Sequence, residues 1–200
     1  FADQWEFMIT EAGRSRVREI FEEDRYIGPV PIPLQQYWDI TRKFSVKNER
    51  ISRQDLERAY EGLVIPEDTY DVIGPAVNSG KSAFVFGEPG NGKTIMCERV
   101  INAFGDYVPI PYAVFAGGSV INFYDPYYHD PEDVPDNTID LRWMVTRRPF
   151  VSVGGELTMD ELDLIYNPDV RFYEAPFQLK ANTGILLIDD FGRQQMDPEE

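Results

Sequence analysis

The sequence predicts an α/β protein with a mainly helical N-terminal part. Two apolar runs, residues 83–86 and 184–188, have the length and composition of buried strands. The second run has no polar interruption, as expected for a central parallel strand buried on both faces. Elsewhere apolar residues recur at helical spacing. A hydrophobic content of 42% is sufficient for a packed core, which excludes a disordered chain.

Residues 1–50 are expected to form a helical and extended segment with a proline-rich linker. From about Glu11 onward, apolar residues recur at helical spacing: Val17, Ile20 and Phe21. Residues 28–33 read Gly-Pro-Val-Pro-Ile-Pro, which predicts a stiff extended linker because proline forbids helix continuation. Residues 7–14 resemble the last strand and closing helix of bacterial winged-helix domains, which implies that the segment is the remnant of such a domain.

Two further helices are predicted between residues 51 and 80. Ser52 with Asp55 three residues later is the pattern of a capping box. The apolar face of the first helix follows: Leu56, Ala59, Tyr60 and Leu63. The second helix is expected to open at Pro66 and to close before Gly80, with Pro75 bending it. Both would pack beside the site that the next motif predicts.

Residues 87–94 are the most informative stretch of the chain. They fit G-x-x-x-x-G-K-[ST], the phosphate-binding pattern of P-loop NTPases: Gly87, Glu88, Pro89, Gly90, Asn91, Gly92, Lys93 and Thr94. The apolar run before them predicts a strand, and helical spacing after them extends to a cap at Gly105. The alternative is a glycine-rich turn that binds nothing, but such a turn requires neither Lys93 nor Thr94.

Each residue type in this loop suits a polyphosphate. Glycine reaches backbone conformations closed to other residues, so consecutive N–H groups can face one concavity. The helix that follows adds the positive end of its dipole. Lys93 is expected to contact the β- and γ-phosphates, and the Thr94 hydroxyl is expected to bind Mg²⁺. The predicted cofactors are therefore ATP and Mg²⁺.

The second apolar run ends in two carboxylates, Asp189 and Asp190. Open α/β sheets bind their ligands at the carboxyl ends of strands, where these residues would lie. Asp189 is the candidate Mg²⁺ ligand of a Walker B motif. Asp190 is the candidate catalytic residue that polarises the attacking water. Lys93, at the phosphates, is the second candidate catalytic residue.

The chain between Lys93 and Asp189 is long for one helix, one strand and their loops, which predicts an insertion at about residues 115–175. Residues 107–115 are expected to form an edge strand because they contain two prolines. A hairpin turn at residues 117–118, a loop over 125–140, a strand at 150–153 and a short acidic helix from Thr158 follow. The insertion is either a loop for a partner, with tyrosines beside acidic residues, or a packed hairpin, which we prefer.

The net charge of −16 disfavours direct DNA binding, since phosphate neutralisation needs clustered Lys and Arg. A single cysteine, Cys97, excludes an internal disulfide framework, fits a reducing compartment and is expected in the core. No apolar stretch reaches the roughly 18 residues of a membrane span. We therefore expect a cytoplasmic protein without a membrane span.

Together the loop GEPGNGKT and the strand GILLIDDFGRQ resemble the AAA+ ATPases, above all bacterial initiator and helicase-loader members whose Walker B motif ends in Asp-Asp. The resemblance implies a three-layer parallel sheet over residues 51–200. It also implies a homo-oligomer, with a sensor residue, an arginine finger and a helical lid, none of which we assign. Residues 197–200 have the pattern of a helix start, so the domain is expected to be incomplete at its C-terminus. Most AAA+ proteins have Glu where this chain has Asp190.

The sequence favours an ATPase that uses Mg-ATP to change conformation or to assemble a ring. The alternatives are a nucleotide-gated scaffold with little hydrolysis and a small-molecule P-loop kinase, which the lack of an Arg-rich acceptor lid disfavours. Arg147 and Arg148 are interpreted as a solvated basic pair rather than an arginine finger. His129, in a polar loop, is predicted to lie on the surface. Glu156 and Glu161 show no paired geometry.

Overall fold

The structure, a computed structural model, describes residues 7–105, 107–132, 140–190 and 192. Over these residues the protein is mixed α/β with a mainly helical N-terminal part, and its largest sheet contains both parallel and antiparallel pairs. The helix start predicted at residues 197–200 lies outside the described residues.

The helices agree with the sequence pattern in most places. Within the described residues the α-helices are α1 (Glu11–Glu23), α2 (Leu34–Lys43), α3 (Arg53–Ala59), α4 (Glu67–Asn78), α5 (Lys93–Val100) and α6 (Phe177–Lys180). The predicted capping box at Ser52 and Asp55 is present, and Pro75 lies inside α4. The apolar face predicted for α1 packs little, because no residue of that helix is buried. Helix α2 was not predicted.

The strands form three sheets. They are β1 (Ile32–Pro33), β2 (Tyr107–Pro111), β3 (Ala113–Ala116), β4 (Ser119–Asn122), β5 (Trp143–Arg147), β6 (Phe150–Val153), β7 (Ile165–Asn167), β8 (Phe172–Glu174) and β9 (Ile185–Ile188). One sheet has the order β1-β3-β4-β8-β7; β2 pairs with β5, and β6 pairs with β9. The predicted hairpin is β3–β4, which turns at residues 117–118.

The first core cluster joins the proline-rich segment to the predicted insertion. Strand β1 runs parallel to β3, and its Ile32 is fully buried against the sheet and α2. Residues 32–33 are therefore a strand of the sheet and not part of a linker. Proline at the end of a short edge strand is tolerated because its missing N–H faces no partner. Within the described residues, β2, which contains Pro109 and Pro111, pairs only with β5, as expected for an edge. The strand predicted over residues 107–115 is interrupted after Pro111, and β3 belongs to another sheet.

Strands β6 and β9 pair in parallel and contact helices on both faces. Ile185 packs on the cluster of α3, α4 and α5, whereas Leu186 and Ile188 pack on the cluster of β6 and α6. Side chains alternate along a strand, so β9 contacts a helix on each face. This two-stranded parallel sheet is separate from the five-stranded mixed sheet, whereas the sequence predicts a single parallel sheet. Strand β9 is half-buried and not fully buried, because β6 is its one neighbour within the described residues.

Two smaller differences concern element boundaries. The predicted acidic helix from Thr158 is a single 3₁₀ turn, Met159–Leu162, held by a capping box between Thr158 and Glu161. The strand predicted at residues 83–86 does not form, and these residues belong to no helix or strand. A strand requires a neighbouring edge to pair with, and apolar composition alone does not supply one.

Candidate nucleotide-binding site

The candidate phosphate loop, residues 87–94, leads directly into α5. Gly87, Gly90 and Gly92 have φ values of 150°, 85° and 71°, the region that favours glycine. Gly92 is the N-cap of α5, so the loop ends at the positive end of a helix dipole. Exposed residues predominate in the loop, so its N–H groups lie at the surface of the protein.

The Lys93 amine folds back over the loop. Its Nζ donates to the backbone oxygens of Gly87 and Glu88, at 3.0 and 2.8 Å. Both acceptors are neutral carbonyls, so the positive charge of Lys93 is held at the loop without being cancelled by these contacts. A phosphate oxygen entering the loop would meet a positioned cation, which is the role predicted for Lys93.

Thr94 and Asp189 meet although they are 95 positions apart. The Thr94 hydroxyl donates to Oδ2 of Asp189 at 2.9 Å. The Asp189 backbone N–H donates to the carbonyl of Val153 at 2.8 Å, which ties the end of β9 to the end of β6. The two predicted Mg²⁺ ligands are therefore adjacent, one from α5 and one from the β6–β9 pair.

Asp190 follows in an unusual conformation. Its φ is 52°, uncommon for a residue other than glycine, and its N–H donates to Oδ1 of Asp189 at 2.9 Å. Its side chain is exposed. Backbone conformations of this kind cost roughly 1–3 kcal/mol and are concentrated at functional sites.

The donor set at Thr94 and Asp189 fits Mg²⁺ bound together with a nucleotide. A hydroxyl and a carboxylate are hard oxygen ligands, and Mg²⁺ is commonly held by one or two carboxylates plus substrate phosphates. The described residues contain no group of three or more His, Cys, Asp or Glu side chains that could hold a metal ion alone. One hydroxyl and one carboxylate fit a metal whose remaining ligands are phosphates and water.

The segment before the loop is exposed. Phe84 and Phe86 are 71% and 83% exposed, and their rings stack 6.2 Å apart. The sequence correctly predicts a helix after Gly92, but α5 ends at Val100, and a 3₁₀ turn, Ile101–Ala103, stands where the helix was predicted to continue to a cap at Gly105. The buried strand predicted before the loop is wrong in this structure. Cys97, on α5, is half-buried, and burial followed by the charge of Asp189 raises the pKa of its thiol.

His129 is buried, so its predicted surface position is wrong. It has no exposed area and stacks against Phe123 and Tyr124. Its Nδ1 accepts from the Asp125 N–H at 2.9 Å, and its Nε2 lies 2.9 Å from the Lys180 carbonyl. These partners require the neutral ring with the proton on Nε2, and burial lowers the pKa of His129. The aromatic residues Phe123 and Tyr124, close to His129 in the sequence, were the signal that could have indicated its burial.

Arg147 and Arg148 are not a solvated pair. Arg147 is exposed, but the Arg148 side chain is only 1% exposed. The Arg148 guanidinium donates to the carbonyls of Phe44 and Thr183, at 2.7 and 2.6 Å, and contacts Glu49 at 3.1 Å. It thereby joins the end of α2 to the residues just before β9. A sequence pattern cannot separate two adjacent arginines whose side chains point to opposite sides of a strand end.

Comparison with protein-family models and with curated protein sequences gives no match. Among the described residues, no helix is both long enough and apolar enough to cross a bilayer.

Proposed function

We propose that the protein is an AAA+-type ATPase with a P-loop fold, which binds Mg-ATP at residues 87–94. The observation that carries the proposal is the 2.9 Å hydrogen bond between Thr94 and Asp189. Each motif alone is a local pattern, but their contact joins a phosphate loop to an acidic strand end. This is the juxtaposition that phosphate and Mg²⁺ binding require.

In this proposal each residue has a distinct role. The loop N–H groups and the Lys93 amine bind the β- and γ-phosphates, while Thr94 and Asp189 hold Mg²⁺. When bound, Mg²⁺ neutralises charge on the phosphates. Asp190 orients a water molecule and accepts its proton while the new O–P bond forms and the bond to the ADP oxygen breaks. Positioning and charge stabilisation therefore supply most of the catalysis.

The AAA+ resemblance extends the proposal to the whole protein. A cytoplasmic homo-oligomer would couple nucleotide binding and hydrolysis to conformational change or ring assembly. Its protein partner is unspecified, and the net charge of −16 disfavours direct DNA binding.

A nucleotide-gated scaffold is the second candidate, and the geometry of Asp190 favours it. Aspartate is one methylene shorter than the glutamate of most AAA+ proteins. Here it is exposed and has a positive φ. A shorter carboxylate holds the water less firmly, so this candidate binds ATP with little turnover.

Binding of a fluorescent ATP analogue and release of phosphate test both candidates. Lys93→Ala is expected to weaken binding about 10- to 100-fold, because a hydrogen bond to a charged group contributes about 1.5–3 kcal/mol. Asp190→Asn is expected to retain binding and lose phosphate release. Lys81→Ala, an exposed lysine outside the motif, is the matched control.

The outcomes separate the candidates. Equal binding by the parent protein and Lys93→Ala would contradict nucleotide binding at this loop. Binding that depends on Lys93, with phosphate release no faster in the parent protein than in Lys93→Ala, would replace the ATPase by the scaffold.

A further inference from the structure

Glu156 lies in the turn that follows β6, beside the end of β9. The two strands are parallel and in register, with Val153 opposite Ile188. The residues after the strands, Gly154 to Glu156 on one side and Asp189 on the other, therefore leave the sheet at the same edge. Glu156 was not among the predicted site residues.

One peptide group connects Glu156 to Asp189. The carbonyl of Val153 accepts the hydrogen bond from the Asp189 N–H at 2.8 Å. The N–H of Gly154, in the same peptide group, donates to Oε1 of Glu156 at 3.2 Å. Because the peptide is trans, its carbonyl points toward β9 while its N–H points away, so Glu156 and Asp189 occupy opposite sides of it.

Two hydrogen bonds made by the same peptide group strengthen each other. A side-chain oxygen that accepts from a peptide N–H polarises that peptide, which makes its carbonyl a better acceptor. The Asp189 backbone is thereby held more firmly, and with it the carboxylate that accepts from Thr94 at 2.9 Å.

The Glu156 carboxylate is exposed, and two features of the turn favour its position. A Cβ atom at Gly154 would lie 2.7 Å from Oε2 of Glu156, so the absence of a side chain there leaves room for the carboxylate. Leu157, the next residue, is 1% exposed, and its N–H donates to the Gly154 carbonyl at 3.2 Å. The buried leucine anchors the far end of the turn.

We propose that Glu156 is a positioning residue for the Mg²⁺ ligand Asp189, acting through the Val153–Gly154 peptide group. The inference rests on the proposed function, because it assigns to Asp189 a role in Mg-ATP binding. Glu156 itself contacts neither nucleotide nor metal.

The test compares Glu156→Ala and Glu156→Gln with Glu161→Ala. Glu161 is the matched control, since its carboxylate accepts from Thr158 at 2.9 Å in the next turn. Two quantities are measured: hydrogen exchange of the Asp189 amide by NMR without ligand, and binding of a fluorescent ATP analogue against Mg²⁺ concentration.

Glu156→Ala is expected to speed exchange of the Asp189 amide. It should also raise the Mg²⁺ concentration for half-maximal binding about tenfold, the lower end for residues that support a metal ligand. Binding without Mg²⁺ should not change. Glu156→Gln should stay near the parent protein, because its amide oxygen still accepts from Gly154.

Three results would overturn the inference: Glu156→Ala behaving like Glu161→Ala, faster exchange with an unchanged Mg²⁺ requirement, or Glu156→Gln as impaired as Glu156→Ala. If Lys93→Ala still weakens nucleotide binding in any of these cases, the proposed function stands and only the role of Glu156 fails. A parent protein that binds no nucleotide overturns the proposed function and this inference with it.

Discussion

The candidate phosphate loop differs from two buried basic residues, His129 and Arg148, in the surroundings of its polar groups. The loop, residues 87–94, is mainly exposed and bonds its lysine to its own backbone. His129 and Arg148 are buried, and both bond to carbonyls distant in sequence. The loop carries the recognisable motif and one exposed long-range contact, from Thr94 to Asp189, whereas the long-range contacts of His129 and Arg148 are made by buried side chains.

This difference separates binding from stability. Exposed loop contacts are made in water and contribute little to the free energy of unfolding. Substitutions in the loop should therefore change ligand affinity while leaving stability nearly unchanged. A buried polar group has lost its water, so removing its partner costs the full desolvation penalty.

Arg148→Met should lower the free energy of unfolding by about 3 kcal/mol, because it leaves the buried Thr183 carbonyl and the half-buried Phe44 carbonyl without their donor. Methionine keeps most of the packing volume, so the loss reports the polar contacts. Arg147→Met, next to it and exposed, should change stability by less than about 0.5 kcal/mol. Urea unfolding of both variants measures the difference, and equal losses would contradict the distinction.

Gly184→Ala should destabilise the protein by about 2–3 kcal/mol through overpacking. A Cβ atom there would lie 1.9 Å from the Pro149 carbonyl, which accepts from Ile185 at the start of the β6–β9 pair. Gly105→Ala is the control, since a Cβ atom at Gly105 meets nothing within 4 Å. A Gly184→Ala variant as stable in thermal unfolding as Gly105→Ala would show that the two strands separate at little cost.

Stability should fall with acidification because His129 is buried in its neutral form. Its folded pKa is lowered below the unfolded value near 6.5, so the unfolded chain binds the proton first. The contribution of neutral His129 to the free energy of unfolding is intact above about pH 6.5. Below that pH it falls by up to about 1.4 kcal/mol per pH unit. The loss continues until pH reaches the folded pKa.

Urea unfolding across this pH range measures the effect, with His129→Gln as the control that lacks the titrating ring. Burial acts to raise the pKa of Asp125, but the hydrogen bond from Lys180 and its other partners lower that pKa overall. The Asp125 carboxylate therefore stays charged in this pH range. An equal pH slope in the parent protein and in His129→Gln would contradict the assignment to His129.

Local signals predicted local structure well. The capping box at Ser52, the hairpin at residues 117–118 and the helix after Gly92 all form, because each depends on a few neighbouring residues. Predictions of strands, which depend on a partner distant in the sequence, were less accurate. The run at residues 83–86 lacks a strand to pair with, whereas Ile32 in the supposed linker has one in β3.

The residues of the candidate site also fall into two groups, those identified from contiguous sequence and those whose contacts depend on the fold. Its glycines, Lys93 and Thr94 were identified from spacing alone, since the loop is contiguous. Asp189 was predicted from an apolar run, but its 2.9 Å contact with Thr94 required the fold. Glu156 could not be identified from the sequence, because its link to Asp189 passes through the backbone of a neighbouring strand.

Backbone propensities and short-range hydrogen bonds act within a few residues, so the loop, its glycine conformations and the start of the helix that follows are encoded locally. Which charged and aromatic side chains are buried depends on the complete fold. Burial depends on what the rest of the chain places against a residue, and two neighbours such as Arg147 and Arg148 can have opposite surroundings. The same long-range packing brought Asp189 to Thr94.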